Sequence, residues 1–335
     1  MPQSPPARFT VIVLILAMLS VLSCLPVPLA AAADKVAKLG HVGPTDNPIH
    51  IGAEVLAKRV AEQSKGTLEI KIFPNGQLGQ DRDLTEGVQL GTIQMAVTSN
   101  AVMTRYEPRA LLLDLPFLFR DDSHWEKVID GPMGQEFREL FLAKGIRILG
   151  YFDGAWRGPY ARRPIDKFDD MKGLKFRTME SPMHISIYTA LGARGVPMSS
   201  AEQYPALQQG VVDGGDSPWV WYKQLKHYEV AKHLTDLPLF KLTMPLIVSE
   251  KFYASLTPEQ QKIVQAAADE ATAQQRRVQR EIDTRLLDEL KKSGVTVHHI
   301  GAAERERFVK AMAIVWKEYE DKVGKDKIEA VLQTK

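Results

Sequence analysis

The sequence predicts an α/β protein of two domains, and three observations carry that prediction. A chain of 335 residues is long for a single core and natural for two at about 150 residues each. A strand–helix–strand pattern opens the chain after the first 33 residues, and a second begins after residue 145. Near the C-terminus, residues 258–292 run on from Pro258 without another Gly or Pro. As a helix that segment is roughly 52 Å long at 1.5 Å per residue, more than one small domain needs, so it braces both.

The first pattern starts with a strand at Lys35–Val42 and a turn at Gly43-Pro44-Thr45-Asp46. Asp46 or Asn47 caps a helix that Pro48 starts, with Ile51, Val55, Leu56 and Val60 at helical spacing before Lys65-Gly66. Thr67–Phe73 alternates apolar and polar, the period of a strand. Arg82–Leu90 reads as a helix closed by Gly91, and Ile93–Thr98 as a third strand, so the sheet is expected to be mainly parallel. In the second pattern Ile146–Phe152 and Leu174–Thr178 are strands, Pro182–Leu191 and Glu202–Gln209 helices. Gly210–Pro218 reads as strand, tight loop and helix start, with Ser217 as cap and Pro218 as first helical residue. Thr257-Pro258-Glu259-Gln260 is a capping box with proline in the first turn. A strand at Val295–Ile300 and a helix over Ala303–Val323 finish the chain.

Composition narrows the function. Hydrophobic side chains make up 44% and charged ones 25%, ordinary globular usage that excludes disorder for most of the chain. Lys and Arg number 43 against 41 Asp and Glu, so there is no concentrated basic field for nucleic acid. The first 33 residues read as a secretory leader: Arg8, the apolar stretch Phe9–Leu22, Pro26 and Pro28, then Ala30-Ala31-Ala32-Ala33 before Asp34. Fourteen residues are short for crossing a ~30 Å bilayer core, so cleavage near Ala33 is expected. Val21-Leu22-Ser23-Cys24 loosely matches a lipidation box at Cys24, but Leu22 is bulky there and the alanine run competes. Cys24 is the only cysteine. A chain starting near Asp34 then has no thiol chemistry, disulfide or zinc–thiolate site, and is expected in an exported compartment.

Catalytic signatures are missing: no G-x-S-x-G, H-E-x-x-H, P-loop or dinucleotide fingerprint occurs. The eight histidines do not form a ligand array. His227 and His233 lie six apart, His298 and His299 point oppositely on a strand, and all four read as surface or packing groups. No metal and no cofactor is expected. The informative stretch is 171–222. Arg177 ends a strand before the turn Thr178-Met179-Glu180-Ser181-Pro182, where α/β sheets bind ligands, and a guanidinium there offers two parallel donors to a carboxylate. An exposed strand-end arginine is the plain alternative. Downstream, the helix start after Asp213-Gly214-Gly215-Asp216-Ser217-Pro218 favours an anion. Trp219, Trp221 and Tyr222 follow, able to wall a cleft or simply to pack.

Four runs taken together carry a resemblance: GQLGQDRDLTEGVQLGTIQMAVTSN (76–100), DLPFLF (114–119), DMKGLKFRTMESP (170–182) and ALQQGVVDGGDSP (206–218). In order and spacing the chain from about Lys35 onward resembles the solute-binding proteins of TRAP transporters, the DctP type. The resemblance implies a two-domain periplasmic binding fold with a hinged cleft, crossing strands and a long helix spanning both domains. It divides the chain into 34–154 with 243–282 and 155–242 with 283–335. It implies a protein that captures an organic acid, a monocarboxylate or dicarboxylate, and passes it to the TRAP membrane permease subunits. Oligomeric state stays open, with a monomer the default for a protein that must open and close.

Position by position, Arg177 matches the family's carboxylate-binding arginine and Arg157 a second, assisting one. Ser99, Asn100 and Tyr204 fall where polar or aromatic pocket contacts are frequent. Asp216-Ser217-Pro218 departs from the common Glu-Asn-Pro, which shortens one hydrogen-bonding arm. Trp219 directly after it is expected to fill the space and favour a ligand with an apolar part. A binding protein that serves a sensor, and a secreted hydrolase, remain as competing readings.

Overall fold

Which residues cross between the two halves decides where a cleft can form. The computed structural model describes residues 34–335, so the leader and Cys24 lie outside the described residues. Its strands are β1 (Lys35–Gly40), β2 (Leu68–Phe73), β3 (Met95–Val97), β4 (Ile146–Ala161), β5 (Lys175–Thr178), β6 (Arg194–Pro197), β7 (Gly214–Ser217), β8 (His233–Asp236), β9 (Phe240–Ser249) and β10 (Thr296–His299). They lie in the order β2-β1-β3-β9-β4-β7-β5-β6, with β8 beside β4 and β10 beside β8.

Each half has a parallel centre, β2-β1-β3 in one and β7-β5-β6 in the other. The expectation of a mainly parallel sheet holds there and fails at the junction. β9 runs antiparallel to β3 and to β4, and β4 antiparallel to β7 and β8. β4 is twice the length read from the sequence, continuing past Phe152 to Ala161. Its residues are buried on both faces for most of that length, so no polar alternation marks it. β9 is buried throughout and carries Pro245, which hides it from pattern reading for the same reason. These two are the crossing strands.

The crossing point is irregular and tightly held. The β4–β9 register shifts between Asp153 and Trp156, and Ala155 sits at φ 68, a conformation that costs an L-residue about 1 kcal/mol or more. The Asp153 carboxylate accepts the Ala155 amide at 2.6 Å and an ion pair from buried Lys241 at 2.7 Å. Gln275 on the long helix closes the bulge by accepting the Asp153 amide and donating to its carbonyl, both at 2.8 Å.

That helix spans Pro258–Lys292, as the capping box and unbroken pattern predict. Thr257 accepts the Gln260 amide at 3.2 Å. Val264, Ala267, Ala268 and Ala271 bury the first part, Leu286 and Leu290 the last. It packs on the helix Pro48–Gln63 and on β4, then on the helix Trp219–Gln224.

Two local readings are corrected. The strand placed at Val211-Val212 lies instead at β7, because Gly214 and Gly215 let it pass between β4 and β5: a Cβ on Gly214 would come 2.4 Å from the Tyr160 carbonyl oxygen. Ser217 is therefore the last strand residue and Pro218 the cap of the helix that begins at Trp219. The helix read over Ala303–Val323 is two, Ala302–Ala311 and Ala313–Val323. A tightened turn at Met312 keeps Phe308, Met312 and Val315 all buried.

Candidate functional site

Strands β1, β3, β5 and β7 direct their carboxyl ends toward one cleft, and β4 and β9 pass beneath it. Val42, Ser99, Met179 and Ser217 come from the ends of those four strands, Arg157 from β4, and Leu242 and Met244 from β9. Asp81 opens the helix Asp81–Leu90, and Ser200, Gln203, Trp221 and Leu225 complete the wall. The space they enclose is about 40 Å³.

Arg177 is placed by the two-residue alternation of β5. Phe176 points the other way and stacks on Tyr188 at 4.9 Å, which sends the guanidinium into the cleft. There it is 5% exposed. Nε and Nη2 donate to the Met198 carbonyl at 3.1 and 2.8 Å, while Nη1 makes no hydrogen bond among the described residues. Burial first, then the neighbouring Arg157, lowers its pKa to about 10, so it stays cationic at neutral pH.

Arg157 is committed to Asp216. Its Nε donates to Asp216 Oδ2 and its Nη2 to the Asp216 carbonyl, both residues being buried. Behind the two arginines, Gln203 donates to the Tyr160 hydroxyl, which in turn bonds His227 Nδ1 at 3.0 Å. His227 is kept neutral by burial and by the two guanidiniums, its pKa lowered to about 3.

Two polar atoms of the wall are buried without a hydrogen-bond partner, Trp221 Nε1 and Asp81 Oδ1. One is a donor, the other an acceptor when ionised. Burial raises the Asp81 carboxyl to about 6, against the opposing pull of the Ser99 amide and of Arg177. Among the described residues no group of His, Asp and Glu side chains is arranged to hold a metal ion. No helix among them is long and apolar enough to cross a membrane.

Residues 39–322 match the family model for bacterial extracellular solute-binding proteins, family 7, the DctP family. The chain belongs to that family. It is 31% identical over 284 residues to the 2,3-diketo-L-gulonate-binding periplasmic protein of Escherichia coli K12, covering 84% of this chain and 86% of that one. Among solved structures it resembles a TRAP periplasmic solute-binding protein from Sulfurospirillum deleyianum with bound succinate, at 32% identity and TM-score 0.87, over 90% of this chain and 100% of the other. A similar protein from Polaromonas sp. JS666, bound to D-erythronate, matches at 32% and 0.87 over 90% and 99%. This DctP-family protein is thus a solute-binding component of the TRAP type with the two-domain fold of its neighbours, and not an enzyme.

In this solute-binding protein Arg177, Arg157, Ser99 and Ser217 share the cleft, with Asp216 directly behind Arg157. The other candidates stand elsewhere. Asn100 donates to the Ala110 carbonyl and to Asp114 Oδ1, both at 2.9 Å, beneath the helix Asn100–Met103. Tyr204 donates to Glu229 at 3.0 Å, while its neighbour Gln203 faces the cleft. Trp219 lines a separate groove of about 730 Å³ on the other side of the crossing strands, with Phe117, Phe119, Trp156 and Asp283. Residues two apart on a helix point nearly opposite ways, so Trp221, not Trp219, reaches the cleft. Asp81 was not singled out from the sequence. Its signal was a carboxylate at a helix start within the 76–100 run.

Proposed function

We propose that this protein captures one small organic acid in the cleft, its carboxylate seated on the free edge of Arg177. Arg157 assists, held in place by Asp216, and Ser99 and Ser217 supply short polar contacts from the two sides. Trp221 and Gln203 shape the wall around these contacts, whereas Asn100, Tyr204 and Trp219 lie outside it. The observation that carries this reading is a buried, cationic Arg177 with Nη1 left to bind. A carboxylate loses hydration on entering such a site, and an enclosed guanidinium offsets that loss.

The cleft closes by movement of 34–154 with 243–282 against 155–242 with 283–335, hinged where β4 and β9 cross. The mature protein, cleaved near Ala33, works as a monomer in the periplasm and delivers its ligand to TRAP permease subunits. The ligands named for its relatives, succinate, D-erythronate and 2,3-diketo-L-gulonate, each carry a carboxylate and make the natural first panel.

The test is thermal unfolding of residues 34–335 with each acid at 1 mM. A micromolar ligand adds about 4 kcal/mol, a rise of roughly 6 °C for a chain of this size. One clear shift, abolished in Arg177→Ala, is the expected result. No shift with any acid, together with no acid released from the denatured protein in mass spectrometry, would overturn the reading.

A further inference from the structure

The charges that line the cleft are few and can be balanced by inspection. Arg157 and Arg177 are positive, Asp81 lines the same space, and Asp216 lies against Arg157. No lysine, histidine or other acidic residue lines that space. With Asp81 ionised the set is neutral before any ligand enters. An anion enclosed there would be one uncompensated charge away from water, which costs several kcal/mol.

We infer that the closed cleft takes up one carboxylate together with one proton, and that the proton rests on Asp81. The inference builds on the carboxylate-binding reading above and names the charge class the site accepts. Asp216 Oδ1 is likewise buried without a partner, but the Asp216 carboxylate is already held through Oδ2 by the Arg157 guanidinium. Asp81 Oδ1 is buried and has no partner, although the residue as a whole is only partly buried. Protonated, that carboxyl becomes a donor into the cleft, facing the incoming acid or its hydroxyl. A second carboxylate would restore the imbalance, so singly charged acids are the class this cleft fits.

The surroundings of Asp81 support this placement. Arg177 from β5, and behind it Arg157 on β4 paired with Asp216 on β7, are the buried charges near it. The Thr98 hydroxyl and Ser99 amide after β3 favour the ionised form, and Glu180 after β5 opposes it. Glu180 is exposed, and Glu202 on the helix Ser200–Gln208 is exposed and tied to Ser199. His41 at the end of β1 is neutral, its pKa lowered to about 4 by burial and His50. Arg82 and Asp83, next along the helix, are exposed. Asp81 already sits at about 6 without a ligand, and an anion beside it raises the value further.

Calorimetry with D-erythronate and 2,3-diketo-L-gulonate tests this in two buffers of different ionisation enthalpy at pH 8. The expected result is uptake of about one proton per acid bound, with affinity weakening about tenfold per pH unit from pH 7 to 8.5. Asp81→Asn should abolish the uptake and bind at least about tenfold tighter than the wild type at pH 8. Asp283→Asn, in the groove behind the crossing strands, should leave the uptake unchanged. Binding with no proton uptake in the wild type, uptake that survives in Asp81→Asn, or binding of succinate alone would overturn the inference and leave carboxylate capture standing. Binding of no acid at any pH would instead overturn carboxylate capture itself.

Discussion

The Arg157 guanidinium donates to both the side chain and the backbone carbonyl of Asp216, joining β4 to β7 under the floor of the cleft. Neither group has water to fall back on, since they are 4% and 0% exposed. Asp216→Ala should therefore cost about 3–5 kcal/mol, the loss seen when one partner of a buried pair is removed. Asp216→Asn keeps an acceptor and should cost roughly 1–3 kcal/mol. Urea unfolding at pH 7 measures both. A loss under about 1 kcal/mol for the alanine variant would mean that Arg157 has another partner to turn to.

Trp221 and Trp219 should separate cleanly in binding. Trp221 Nε1 is a buried donor without a partner at the cleft wall, whereas Trp219 lies in the rear groove. Trp221→Phe keeps the apolar wall and deletes the donor, a loss of about 1–3 kcal/mol, or tenfold to a hundredfold in the Kd of the bound acid. The same change at Trp219 should cost less. Titration of both variants decides it, and the reverse order would put the ligand against Trp219.

Asp283 predicts how stability depends on pH. Burial, then Asp153 nearby, raises its carboxyl to about 7, above the ordinary value near 4 of an unfolded chain. Between those values the folded protein holds the extra proton, so its stability falls as pH rises through the window and levels off above it. Asp283→Asn should gain about 2 kcal/mol at pH 8, after allowance for solvent screening, and nothing at pH 4. Equal gains at both pH values would assign the effect to packing.

Much of the fold was legible because local rules write it. The Thr257 capping box and unbroken helical pattern place Pro258–Lys292 to the residue. Alternation in residues 67–73 places β2 to within one residue, and Pro48 after Asp46-Asn47 places the first helix, with Asn47 the cap. Where both faces of a strand are buried the pattern vanishes. The second half of β4 and the whole of β9 therefore escaped, although they carry Arg157, Leu242 and Met244 into the cleft. The chemical character of the site was partly legible too: an arginine ending a strand stands out, while an aspartate opening a helix looks like ordinary first-turn charge.

Taken alone, the sequence determined the two α/β units, the bracing helix and the placing of Arg177 at a strand end, with export as an expectation. Those follow from composition, caps and periods that span a dozen residues or fewer. Only the tertiary structure decided that Arg157 meets Asp216 from 59 positions away, and that Trp221 and Gln203 face the cleft while Trp219 and Tyr204 do not. It also decided that Asp81 shares its wall with Arg177. Which side chains enclose a cleft depends on how distant strands cross and which helix face turns inward, and no local pattern records either.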